Sequence, residues 1–181
     1  MQRFRLRLRK FVRRFVRHEG AATVVEFALL ALPFFALIFG ILELGFIFLV
    51  STTLENAITI SGRRIRTGEL QGSADSTAGA FKNSICANMT WLSSTCASNL
   101  NVDVRTYTSF NNITPPDPVV NGVLNTALPF TPGGPSDIVV VRAYYTWTIV
   151  TPLLNATLVN LGSNRSLISA TVAFRNEPYT P

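Results

Sequence analysis

Histidine occurs once in the 181 residues, at His18, close to the N-terminus. That single position leaves no histidine for acid–base catalysis, a Ser-His-Asp triad or a histidine metal site in the rest of the chain. Cysteine occurs twice, as Cys86 and Cys96, with no third cysteine or histidine beside them to complete a metal site. Charged residues make up only 14% of the chain, and the acids of its later part are scattered singly rather than paired. No glycine-rich phosphate loop follows a strand-like run. These absences argue against an enzyme and against any cofactor or metal.

Acidic charge is also missing from the N-terminus, since no Asp or Glu precedes Glu19. Eight of the sixteen basic residues do: Arg3, Arg5, Arg7, Arg9, Lys10, Arg13, Arg14 and Arg17. The net charge of +6 and the pI near 10 therefore belong to a short leader. From His18 onward, eight basic residues face ten acidic ones, so a nucleic-acid partner loses its electrostatic footprint. Phe4, Leu8, Phe11 and Phe15 fall at helical spacing within the leader. That pattern is similar to a mitochondrial transit peptide but lacks the serine such peptides carry.

Between Phe27 and Val50 the chain reads FALLALPFFALIFGILELGFIFLV, with Glu43 as its one charge. A helix of this length crosses the roughly 30 Å hydrocarbon core with some tilt. The run is longer than the apolar part of a secretory signal and has no small-residue cleavage pattern after it, so it is expected to stay in place. No Lys or Arg lies between Glu19 and Gly62, and the excess of cations before the run predicts a cytoplasmic N-terminus with the C-terminal part across the membrane. Leu54, Ala57, Ile58, Ser61 and Ile65 continue a helical period until Gly68 and Gly72 stop it. A helix over residues 24–66 is about 65 Å long, so roughly half would stand outside the bilayer and need a surface to lie on. Pro33 is expected to kink or loosen the spanning half.

Beyond the helix, residues 73–89 predict a second short helix. Asn101–Phe110, Asp137–Val150 and Ser166–Phe174 predict strands. In the middle strand Val139, Val141, Ala143, Tyr145 and Trp147 share one face, while Arg142, Tyr144, Thr146 and Thr148 share the other. The stretch NNITPPDPVVNGVLNTALPFTPGGPS reads as a long loop, and residues 152–161 as a short connecting helix. The expected fold class is α+β: a long N-terminal transmembrane helix packed on a small antiparallel sheet. Its division is a basic leader over 1–20, a long helix over 21–66 with its spanning half at about 24–50, and an extracytoplasmic α+β domain over 67–181. Cys86 and Cys96 fall on the side where an oxidising compartment would join them in a disulfide; the alternative is a pair of buried free thiols. The short loop they would close corresponds to about 2.5–3 kcal/mol of stabilisation.

At the junction of leader and helix stands RRFVRHEGAATVVEFALLALPFF: a small-residue site after a basic leader, then Glu-Phe at the head of a long apolar run. This resembles a type IV prepilin, and most closely the TadE-like pseudopilin (minor pilin) family of the tight adherence (Flp, type IVc) pilus system. GRRIRTGELQ after the long helix and FRNEPY near the end of the chain resemble that family as well. The resemblance implies cleavage by a prepilin peptidase at Gly20 or Ala21. A cut after Ala21 makes Glu26 the fifth mature residue, a cut after Gly20 makes it the sixth, and the third possibility is no cut at all. It implies that Glu26 pairs with the N-terminal amine of an adjacent subunit. The alternative for Glu26 is a carboxylate solvated at the interface, since an unpaired acid in a membrane helix is costly. Glu43 reads at least as readily as a snorkelling or helix-packing acid as it does as a functional one. Phe27, Ala36 and Gly40 are candidate subunit-packing residues, the last two at small-xxx-small spacing.

The implied partners are other pilin and pseudopilin subunits, the prepilin peptidase, the inner-membrane pilus assembly platform and the lipid bilayer. The implied location is the bacterial inner membrane, single-pass, with a periplasmic C-terminal domain and incorporation into the surface pilus. Its function would be pilus assembly or initiation and surface adhesion. The alternatives are an uncleaved membrane scaffold of the same machine and a membrane-anchored extracytoplasmic binding domain.

Overall fold

The computed structural model describes residues 19–151 and 154–180, so the leader and its amphipathic pattern lie outside the described residues. The α+β class is as expected. The long helix α1 runs from Glu19 to Arg66 and includes Pro33. By packing, the chain divides into two compact units, one ending at Leu42 and the other spanning Glu43–Pro181.

In the second unit one face of α1 supplies Val50, Leu54, Ala57, Ile58, Ser61 and Ile65, all buried. Their spacing of three and four residues makes a single apolar stripe, and that stripe is what holds this part of the helix on the domain. Three arginines in the last turn, Arg63, Arg64 and Arg66, complement the negative end of the helix dipole. Gly68 then adopts φ +78°, and its N–H closes on the carbonyl of Ile65 while Leu70 N–H reaches Arg64.

The second helix, α2, covers Ala78–Asn88 rather than starting near Ser73. Thr77 explains the later start: its Oγ1 accepts the Ala80 N–H at 3.1 Å, an N-cap that the sequence reading passed over. A helix that reading also missed, α3, covers Ser93–Asn99. The Cys86–Cys96 disulfide joins α2 to α3 with a Cα separation of 5.5 Å.

Three strands form the main sheet in the order β1-β4-β5, all antiparallel. They are β1 (Leu100–Tyr107), β4 (Ile138–Thr148) and β5 (Arg165–Arg175). Val139, Val141, Ala143 and Tyr145 of β4 face the core together with the α1 stripe, Phe81, Ile85 and Leu92. On the opposite face Val140, Arg142 and Tyr144 are buried too. Part of the long loop explains the burial. Its Pro116 carbonyl accepts from Arg142 Nη1 at 2.9 Å, and its Pro129–Thr131 segment hydrogen-bonds along the edge of β1 at Val104. Within that loop Val119–Val120 (β2) and Val123–Leu124 (β3) form a small hairpin. Asn121 and Gly122, at φ 52° and 73°, make its turn. A short helix, α4, covers Asn155–Leu158 within the 152–161 connection.

Candidate functional site: the carboxylates of the apolar helix and the C-terminal clamp

Glu26 and Glu43 belong to the same helix but meet opposite surroundings. Glu26, in the unit ending at Leu42, is exposed, and so is Phe27 beside it. Ala36 and Gly40 are half-exposed, one helical turn apart. Gly20 and Ala21 lie within the first turn of α1.

Glu43 is only 6% exposed. Its Oε1 accepts the indole N–H of Trp147 at 3.1 Å. Its Oε2 accepts the backbone N–H of Val150 at 3.2 Å and of Thr151 at 3.3 Å, together with the Thr151 hydroxyl at 3.2 Å. Four donors satisfy a carboxylate that an apolar helix would otherwise leave unpaired. The arrangement ties the end of β4 and the turn after it to α1. Sequence reasoning grouped Trp147 with Val139, Val141, Ala143 and Tyr145 on one face of the strand but found neither its role nor that of Thr151. No local signal marks a hydrogen bond between residues 104 positions apart.

Two segments singled out in the sequence, 62–71 and 174–179, meet in space. Arg66 Nε and Nη2 donate to Glu177 Oε1 at 3.1 and 2.9 Å, and the Glu177 N–H donates to the Arg66 carbonyl at 2.8 Å. The Tyr179 ring lies over Gly68 so closely that a Cβ there would fall against ring atoms. Gln71 Nε2 donates to the carbonyls of Ile65, Pro132 and Gly133. From the other side Asn176 Nδ2 donates to Pro132 and Gly134. Glycine at 68 is thus required twice, by its positive φ and by the tyrosine against it. The clamp fastens the chain's last segment to the end of α1 and to the Gly133–Gly134 turn.

On the loop-covered face of the sheet, Asp103 is fully buried and stands opposite Arg142 in the β1–β4 ladder. Arg142 Nη2 and Nε both donate to Asp103 Oδ2, and Arg105 Nε donates to both carboxylate oxygens at 2.8 and 3.1 Å. The Arg142 guanidinium also lies over the Tyr144 ring, 5.5 Å from its centroid. Burial pushes the Tyr144 hydroxyl up to about 12, against the opposing pull of Arg142.

Among the described residues no group of three His, Cys, Asp or Glu side chains converges on a point. An open hollow of about 320 Å³ at one end of the sheet is lined by Thr106, Tyr107, Asp137 and Arg175 among others. Its one acid, Asp137, is already accepting the Gly134 N–H at 2.8 Å.

A helix long and apolar enough to cross a membrane is joined in sequence to a small antiparallel α+β domain. Residues 20–63 match the family model described as TadE-like protein. The matched stretch holds both carboxylates, the apolar run and most of the buried stripe, and the match supports involvement in the Tad pilus system. Neither a curated protein nor a solved structure matches the chain.

Proposed function

We propose that the chain is a minor pilin or pseudopilin of a tight adherence (Flp) pilus, taking part in pilus assembly or initiation and in surface adhesion. The observation that carries this reading is the TadE-like match over residues 20–63, the segment that presents Glu26 on an exposed helix surface. Glu43, the one acid of the apolar run, is occupied by its own domain, so Glu26 just before that run is the carboxylate open to an outside partner. In this reading α1 anchors the chain in the inner membrane with the sheet domain on the periplasmic side. A prepilin peptidase removes the leader at Gly20 or Ala21, and the new amine of one subunit pairs with Glu26 of the next. Phe27, Ala36 and Gly40 lie on the helix surface that packs against neighbouring subunits, and the assembly platform receives the processed chain.

Glu26→Gln tests the pairing. It keeps the side chain's shape and lowers the cost of placing the helix in lipid, so membrane level and leader removal should be normal. Piliation should be impaired, because the neighbour's amine loses its counter-charge. Wild-type piliation at normal protein abundance would refute the pairing, and N-terminal sequencing of the membrane-extracted protein shows which bond is cut.

A further inference from the structure

Between Glu43 and Val50 the helix is covered on one face only. Glu43 and Val50 are buried and Ile47 packs against the core. The residues between them face away and stay open: Leu44, Phe46 at 49% exposure, Phe48 at 71% and Leu49. At the same level the domain adds Val150, 78% exposed, whose N–H shares the Glu43 carboxylate with the indole of Trp147. From Ala143 to Asn164 the chain carries no charged residue at all. The next cation, Arg165, pairs with Thr148 across the sheet and is exposed.

Apolar side chains with an indole among them are typical of a membrane–water interface, and a long arginine side chain at that level can carry its charge out to the headgroups. An irregular turn can sit at such depth only if its backbone is satisfied without water. Here three successive amides are: Ile149 N–H goes to the Asn164 carbonyl at 2.9 Å, and those of Val150 and Thr151 go to Glu43. The open side chains also continue the apolar run that begins at Phe27. We infer that this end of the domain, Leu44–Leu49 with the Ile149–Thr151 turn, is seated in the lipid interface of the bilayer that α1 crosses, with Glu43 as the internal acceptor that lets the turn enter it.

The inference rests on α1 crossing a bilayer and not on any role in a pilus. The second tryptophan provides an internal ruler. Trp91 donates to Thr53 Oγ1 at 3.4 Å, ten residues and about 15 Å further along the helix, beside the exposed Glu55 and Asn56.

The test reconstitutes the full chain at high lipid excess in bilayers of lipids brominated near the top of the acyl chains. In Trp91→Phe, emission from Trp147 should fall by about half relative to unbrominated bilayers. In Trp147→Phe, emission from Trp91 should be unchanged by bromine and quenched by aqueous iodide. A spin label on Val150→Cys, which leaves the Glu43–Trp147 bond intact, should collide more with oxygen than with a water-soluble nickel chelate. A control carries Phe35→Trp with both native tryptophans replaced by Phe. If the control is quenched while Trp147 and the Val150 label behave as in water, the seat in lipid is overturned although the membrane helix stands. Disulfide cross-linking through Phe48→Cys in that case would assign the apolar collar to a second copy of the chain. An unquenched control overturns the membrane helix and the seat together.

Discussion

Removing the Glu43 carboxylate is the sharpest perturbation of this fold, because one side chain serves four donors. Hydrogen bonds to a charged acceptor contribute about 1.5–3 kcal/mol each, but the four share two oxygens and do not add. The half-buried Trp147 indole and Thr151 have little water to replace the lost acceptor. We expect Glu43→Ala to cost about 3 kcal/mol, on the order of a hundredfold in the folded-to-unfolded ratio. Glu43→Gln is more discriminating. Its remaining oxygen can keep Val150 and Thr151, but its amide then faces the Trp147 N–H donor to donor, for a loss of about 1–2 kcal/mol. In a double-mutant cycle with Trp147→Phe, a coupling of about 1 kcal/mol should therefore appear. Urea unfolding of the full chain in detergent micelles measures these values, and hydrogen exchange at the Val150 and Thr151 amides reports the local release. If Glu43→Ala lies within about 0.5 kcal/mol of wild type and those amides exchange no faster, the latch contributes nothing and the reasoning fails.

Three further outcomes follow from other parts of the structure. Gly68→Ala should destabilise by about 2–4 kcal/mol through both the positive φ and the Tyr179 ring; in a Tyr179→Ala background its cost should fall to about 1 kcal/mol, measured by the same unfolding. Asp103→Ala leaves the buried Arg142 without its main counter-charge and should cost about 3–5 kcal/mol, whereas apolar residues at both positions should recover most of that loss. The Tyr144 hydroxyl is buried without a hydrogen-bond partner among the described residues and titrates near 12 instead of 10. Its folded-state value is raised, so its contribution is complete below pH 10 and is lost as the pH climbs through about 12. Tyr144→Phe should flatten that alkaline loss without lowering stability at neutral pH; an unchanged pH profile would contradict the burial argument.

Much of the architecture was legible because it is written in local periodicity. The apolar run, the stripe from Leu54 to Ile65 and the stop at Gly68 predict a helix ending at Arg66, where α1 ends. Alternation in residues 139–147 located β4 and separated its two faces, and the flanking strands lie within a few residues of their expected bounds. The cysteines' position after an apolar span pointed to the bridge that joins α2 to α3. Two local signals were present but overlooked. Thr77 caps α2, and Asn121-Gly122 turns a small hairpin inside a stretch whose Pro and Gly content made it read as loop alone.

By itself, then, the sequence determined the helix, the strands and the charge of the N-terminal segment, since each depends on residue type and spacing along the chain. Only tertiary structure decided which carboxylate is occupied. Glu26 and Glu43 are alike in sequence context, each a single acid among apolar residues. What separates them is that β4 and the following turn deliver an indole, two amides and a hydroxyl to Glu43. The same holds for Asp103 with Arg142, and for the clamp that joins residues 62–71 to 174–179. Whether a polar group is costly or stabilising depends on its partners and its distance from water, and here those partners come from distant parts of the chain.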